Sequence, residues 1–177
     1  NMDYVDLLLI HQPVFHTCLG DLLNLLTDIR KMKKTRAIGV SNFNSYLLNK
    51  CINLGYKEIL CNQVEYHPFL SQNKLIKTMN NLNILPIAFC PLSKGLIIKN
   101  KTIIDLSKKY NKTPSQISLR WLIQQNWIAI PKTLTPYRLK ENIDIFDFEL
   151  DFNDMKKISK LNRDHRVCPS YSKYKWY

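Results

Sequence analysis

Short apolar runs alternate along this chain with longer stretches whose apolar residues recur at helical spacing. Val5 to Ile10 (VDLLLI) is the first run, and it ends at His11 and Pro13. Leu19 to Met32 then sets Leu22, Leu25, Leu26 and Ile29 at the spacing of one helix face. Ala37 to Val40 is the second run, closed by Ser41 and Asn42. Ser45 to Leu54 reads as a helix with Gly55 as its stop signal. Ile59 to Val64 is a third run, followed by a helix over Gln72 to Leu82. Leu85 to Phe89, closed by Pro91, precedes two helical stretches, Thr102 to Tyr110 and Pro114 to Gln125. Trp127 to Ile130 is the fifth run, with helices expected after it over Pro136 to Asp144 and Asn153 to Leu161.

Strands bounded by helices imply βαβ units and a parallel sheet, so the class is α/β. The runs are nearly all apolar, as expected where both faces of a strand are buried. Five such units fill residues 1–177 with no linker, which predicts a single domain. Two parallel architectures compete. A doubly wound nucleotide-binding sheet usually carries a glycine-rich first turn, but this chain has only four glycines and no GxGxxG. A (β/α)8 TIM barrel instead gathers polar residues at the C-terminal ends of its strands. His11, Ser41 and Asn42, Asn62, Gln63 and Glu65, Phe89 and Cys90, and Lys132 and Thr133 all follow or close a run. The barrel is the expected fold, and five units make it incomplete, with about three strand–helix units lacking. A strand pattern that begins at Asp3, two residues after a first residue that is not Met, agrees with a chain cut from something longer.

Composition narrows the picture little. Hydrophobic residues make up 45% and charged residues 23%, as in an ordinary soluble domain. No apolar run approaches the ~18 residues that span a bilayer, and no segment reads as a signal peptide. Cys18, Cys51, Cys61, Cys90 and Cys168 are odd in number and lack CxxC spacing, so neither a disulfide framework nor a metal site is expected; reduced thiols fit a cytoplasmic protein. The net charge of +12 admits an acidic macromolecular partner. The lysines are scattered, however, and form no stripe with stacking aromatics, so a solvated basic surface is the simpler reading and nucleic-acid binding is not expected.

The segment IPKTLTPYRLKEN, Ile130 to Asn142, carries the most chemistry. Lys132 and Thr133 occupy the turn after the fifth run, Thr135 is placed to cap the next helix, and Pro136 suits its first position. Arg138, Glu141 and Asn142 then share one helix face. A helix start with a nearby Lys and Arg is a phosphate site, and the carboxylate and amide one turn later can read an adenine edge. Spacing alone is equally compatible with an ordinary capped surface helix.

IPKTLTPYRLKENIDIFDFEL resembles the adenosine-phosphate segment of the aldo-keto reductases. DYVDLLLIHQP resembles the strand that bears that family's catalytic His; IGVSNF and NQVEYHP resemble its carboxamide-binding strand ends. AFCPLSKG and KTPSQISLRW resemble two further segments, in the same order, and the likeness runs from about Met2 to Cys168. The resemblance implies an enzyme that reduces a small aldehyde or ketone with NADPH (oxidised form NADP+), NADH being less favoured. It implies that His11 orients the substrate carbonyl, and that Ser41, Asn42 and Gln63 hold the nicotinamide carboxamide. Phe89, where the family usually has Tyr, would stack on the nicotinamide. Cys90, in the place of a Ser, lies with Leu92 and Lys94 near the pyrophosphate. Lys132, Thr133 and Arg138 take the 2′-phosphate, and Glu141 and Asn142 the adenine. Gln12 stands where several relatives carry Trp, at the substrate mouth.

In the family the proton donor is a Tyr tuned by a Lys and an Asp, and none of the nine tyrosines here matches that motif. The five units are therefore expected to be the last five of the barrel, with the C-terminal helix and tail. The 177 residues are expected to hold the cofactor but to have little activity alone, with exposed edges at the first and last strands. The complete protein is expected to be a monomer. The alternative is a non-catalytic NADPH-binding relative with a regulatory or structural role. Asn162 to Tyr177 resembles the family's substrate-gating tail and is rich in aromatics: Tyr171, Tyr174, Trp176 and Tyr177. His16, His67 and His165 have no assigned chemistry, His67 being read as structural. Trp121 and Trp127 are expected in the core.

Overall fold

The computed structural model describes residues 2–13 and 18–168. His16 and the four tail aromatics lie outside the described residues. The chain divides into two compact units, one running to Val64 and including Asn73–Pro86, the other comprising Glu65–Gln72 and the chain from Ile87 onward.

In the first unit, β1 (Val5–Ile10), β2 (Thr35–Ser41) and β3 (Ile59–Glu65, whose last residue belongs to the second unit) are parallel neighbours. Helices α1 (Leu19–Lys31), α2 (Ser45–Asn53) and α3 (Asn73–Asn81) alternate with them. The expected elements are present, with ends shifted by one or two residues. Asn44 caps α2 through its side chain, which accepts from the Leu47 N–H at 2.9 Å. Gly55 ends that helix with φ +96°, and its N–H donates to the Ile52 carbonyl at 2.9 Å. Leu23, Leu26, Ile38, Val40, Phe43 and Leu48 are buried. At Gly39 the neighbouring strands leave no room for a side chain. A methyl group there would sit 2.6 Å from Cys61 Sγ and 2.9 Å from the Cys61 carbonyl oxygen. The register sets Val40 opposite Asn62 and Ser41 opposite Gln63, which brings the polar ends of β2 and β3 together.

In the second unit, β4 (Leu85–Phe89, entering from the first unit) pairs in parallel with β5 (Ile128–Ile130), Phe89 lying opposite Ile130. A 3-10 helix, Ser93–Lys99, follows β4, a turn the hydrophobic pattern does not announce; Lys94 and Gly95 within it take left-handed φ of 51° and 87°. Helices α4 (Lys101–Tyr110), α5 (Pro114–Ile123), α6 (Pro136–Ile143) and α7 (Phe152–Ser159) complete the unit. Helix α5 is buried continuously from Gln116 to Leu122, its polar side chains Gln116, Ser118 and Arg120 donating to the carbonyls of Asp144, Pro91 and Ile145. A reciprocal capping box of Thr113 and Gln116 starts it. Trp121 and Trp127 are both buried, and Tyr66 stacks on them with interplanar angles of 4° and 8°. Asp154 at the start of α7 is buried and ties α4 to α7, accepting from Tyr110 Oη at 2.8 Å and from Lys109 and Lys157.

Residues 162–168 run as a strap along segment 65–72. Arg163 and His165 donate their N–H groups to the Phe69 carbonyl, and the Ser71 N–H donates to Asn162 Oδ1. The Val167 N–H donates to Glu65 Oε1 at 2.6 Å and the Cys168 N–H to Glu65 Oε2 at 3.3 Å.

Candidate functional site

Each unit carries one cluster of the residues singled out in the sequence. In the first, Ser41 and Asn42 are buried at the end of β2. The hydroxyl of Ser41 donates to the Gln63 carbonyl at 2.8 Å, and the Asn42 N–H donates to the same oxygen at 2.9 Å. Asn42 is left-handed, with φ 62°, a conformation Asn tolerates better than most residues. Its Nδ2 donates to the His11 carbonyl at 2.9 Å and to Ser41 Oγ at 3.1 Å. Both amide hydrogens of Asn42 and the one hydroxyl hydrogen of Ser41 are thus used within the cluster. What remains on these side chains is acceptor capacity, and Asn42 Oδ1 is buried without a hydrogen-bond partner among the described residues. A primary carboxamide offers the two N–H groups such acceptors need. His11 is exposed just past the end of β1, and its backbone is tied to Asn42.

Asn62 holds this cluster in shape. Fully buried in β3, its Nδ2 donates to the Phe43 carbonyl at 2.8 Å and its Oδ1 accepts from the Phe43 N–H at 3.4 Å. It clamps the residue that follows Asn42. Its signal in the sequence was an amide, beside Gln63, inside a run that is apolar elsewhere.

In the second unit a cleft of about 670 Å³ opens at the start of α6. Lys132, Thr133 and Arg138 line it from the turn after β5 and the first turn of α6. Glu141 and Asn142 line it one turn later, and Cys90, Leu92 and Lys94 from the turn after β4. Phe89, the last residue of β4, is partly exposed, and its carbonyl accepts from the Tyr66 N–H. The sequence-derived residues of this unit therefore converge on the cleft except Phe89, which directly precedes Cys90 in the chain but does not line it.

Two details differ from expectation. Thr135 stands at the cap position of α6 but makes no side-chain cap; its own N–H donates to Thr133 Oγ1 at 3.1 Å. Thr133 thereby anchors the turn while keeping its hydroxyl hydrogen to donate. Glu141 is not simply displayed to solvent: its Oε1 accepts from Thr113 Oγ1 at 2.6 Å, so the cap of α5 fixes it. Sequence reading missed Thr113 in this role because the two residues are 28 positions apart.

The electrostatics of the cleft are positive, with Lys94, Lys132 and Arg138 beside the amino end of a helix. Burial and the adjacent Cys168 push the Cys90 thiol up to about 12. Burial works to raise Glu65, but its bonds to His67 and to the Val167 N–H, with the charge of Arg166, outweigh this and hold it below the usual range. His67 is fully buried, with Nε2 3.1 Å from Glu65 Oε1, which makes it the structural histidine the sequence suggested.

Parallel strands alternating with helices, with polar and cationic side chains gathered just past the strand ends, define an α/β protein. The aldo/keto reductase family model matches residues 1–163, and the chain belongs to that family. It is 40% identical over 169 residues to the glyoxal reductase of Bacillus subtilis (strain 168), covering 96% of this chain and 61% of that protein. It is 37% identical to the 9,11-endoperoxide prostaglandin H2 reductase of Trypanosoma cruzi (strain CL Brener), covering 94% of this chain and 59% of that protein. Among solved structures it is similar to a putative 2,5-diketo-D-gluconic acid reductase B, with a TM-score of 0.93 and 35% identity over 99% of this chain and 63% of that one. It is likewise similar to MGS-M4, an aldo-keto reductase from a deep-sea metagenome library, with a TM-score of 0.90 at 35% identity over 93% of this chain and 62% of that one. The chain thus spans about 60% of the length of these relatives.

Proposed function

We propose that the protein reduces aldehydes or ketones to alcohols with NADPH, and that these 177 residues supply most of the cofactor site and the carbonyl-orienting His11. The observation that carries this reading is the convergence of Lys94, Lys132, Thr133 and Arg138 on one cleft at the start of α6. Two of these cations, Lys132 and Arg138, with the Thr133 hydroxyl, suit a dianionic 2′-phosphate better than a ribose hydroxyl, which favours NADPH over NADH, while Lys94 stands on the pyrophosphate side. Glu141, with one oxygen committed to Thr113, keeps lone pairs for an exocyclic amine, and Asn142 adds an amide beside it. Cys90 and Leu92 border the pyrophosphate side, and Phe89 offers a ring to stack on. Ser41 and Asn42 accept from the nicotinamide carboxamide, and Gln63 donates to its oxygen. Glyoxal and diketogluconate reductases among the relatives support a small carbonyl compound as substrate.

NADPH, when bound, supplies the hydride for the carbonyl carbon. The residues here bind it, orient its ring and, through His11, hydrogen-bond the carbonyl oxygen. Proton delivery to that oxygen needs an acid that these residues do not furnish. None of the nine tyrosines stands in the family's donor motif. Burial pushes the Tyr66 and Tyr110 hydroxyls up, away from a neutral-pH donor. The order of the motifs supports placing the five units as the last five of an eight-unit barrel. These 177 residues alone are then expected to bind NADPH with little turnover, and the complete enzyme to act as a cytoplasmic monomer.

The test is titration of the protein with NADPH and NADH, followed by fluorescence. NADPH should bind the more tightly, and Lys132→Ala with Arg138→Ala should weaken NADPH at least about tenfold while leaving NADH nearly unchanged. Equal losses for both cofactors, or none, would refute the assignment of the cleft.

A further inference from the structure

The strap ends on a cysteine whose sulfur rests against the wall of the cleft. Cys168 Sγ lies 3.3 Å from Cys90 Sγ, and both are free thiols. The contact is imposed from both sides. Cys90 closes β4 in a left-handed conformation, with φ 50°. Cys168 is buried and held through its N–H to Glu65 Oε2, while the preceding Val167 N–H is held to the other oxygen of the same carboxylate. The two sulfurs are thus kept together by bonds that do not involve them. Cys90 is half-buried and lines the cleft, so one sulfur of the pair is reachable from solvent. Cys51 and Cys61 are buried in the first unit, and burial pushes both thiols up to about 11.

We propose that Cys90 and Cys168 are a redox pair, closing to a reversible disulfide that tethers the C-terminal strap to the end of β4. The oxidant is a low-molecular-weight disulfide, RSSR. The Cys90 thiol gives its proton to solvent and its sulfur attacks one sulfur of RSSR, so that the S–S bond breaks and one RSH leaves. The Cys168 sulfur, also deprotonated to solvent, then attacks the Cys90 sulfur of the mixed disulfide and expels the second RSH. Two protein thiols have lost two electrons and two protons, and RSSR has become two RSH. Because the second sulfur is already in contact, the mixed disulfide is short-lived. The high pKa of Cys90 makes the first step slow at neutral pH without changing its outcome. The proposal stands whether or not the cleft takes a dinucleotide.

The experiment exposes the native protein to oxidised glutathione, traps free thiols by alkylation and maps the products by mass spectrometry. The expected product has lost two hydrogens, carries a linked Cys90–Cys168 peptide pair and reverts fully with dithiothreitol. Cys168→Ser should abolish the link and accumulate a glutathione adduct on Cys90. Treating urea-unfolded wild-type chain in parallel keeps the test independent of whether the variant folds, because a pair selected by geometry must lose its preference there. Free Cys90 and Cys168 after treatment, a persistent glutathione adduct on wild-type Cys90, or equal preference for this pair in native and unfolded chains would each overturn the proposal.

Discussion

Asn62 and Gly39 show how much of the first unit's cluster depends on residues that touch no ligand. Asn62 has no space to turn its amide to water, so its two bonds to Phe43 are replaced by nothing when the side chain is cut back. Asn62→Ala should cost about 1–3 kcal/mol, read as a lowered denaturation midpoint, because it leaves a buried N–H and carbonyl unpaired. It should also weaken cofactor binding, since the clamp holds the residue after Asn42. Gly39→Ala acts by another route. The added methyl meets a sulfur and a backbone oxygen of Cys61 at under 3 Å, and backbone cannot yield as a side-chain end can. It should cost about 1–3 kcal/mol by overpacking, with the unfolding slope unchanged. An alanine variant as stable as the parent would mean that β2 and β3 can separate at that point.

At the scale of elements, the cap of α5 and the face of α6 are one construction. Thr113 starts α5 through its capping box and fixes Glu141 of α6 with the same hydroxyl. Thr113→Ala should therefore cost about 1 kcal/mol of stability, as lost caps do, and should also lower NADPH affinity. If only stability fell, Glu141 would have no part in binding. The elements themselves were legible in the sequence because hydrophobic period sets them: β1 and β4 match the expected runs residue for residue. The boundaries that drifted, such as Ala37 to Val40 widening to Thr35–Ser41, did so at polar residues that join a strand by backbone pairing, which periodicity does not report. The 3-10 helix after β4 was illegible for a related reason, since left-handed residues such as Lys94 carry no apolar signature. The cleft residues named from the sequence were legible because they fall in two short local motifs, 90–94 and 132–142. Asn62 and Glu65 were visible as polar strand-end residues, but their roles, like those of Thr113 and Cys168, were not, because each acts on a partner 19 to 103 positions away.

For the whole molecule, acid sensitivity follows from two carboxylates. Glu65 and Asp154 are both buried from solvent, and both are held below their ordinary values of 4.5 and 3.8. At Asp154 burial works to raise the pKa but is outweighed by bonds from Lys109, Lys157 and Tyr110. A depressed folded value means that the stabilisation is fully present above the unfolded pKa and is lost as pH falls through the folded one. Thermal stability should therefore be flat near neutrality and decline below about pH 4.5. In Glu65→Gln it should start lower and decline less steeply. Melting curves at neutral and acid pH check this, and an unchanged slope in the variant would show that Glu65 is not one of the responsible groups.

The strap over segment 65–72 also bears on the order in which the protein can be made. The backbone donors that Glu65 accepts from are 102 and 103 residues downstream. While the chain is being synthesised, that carboxylate has nearby His67 as its partner, among the described residues, until residues 166–168 emerge. Pairing across so long a stretch of chain is slow, so the strap is a late step of folding, and segment 65–72 completes its hydrogen bonding only after residues 162–168 have been translated.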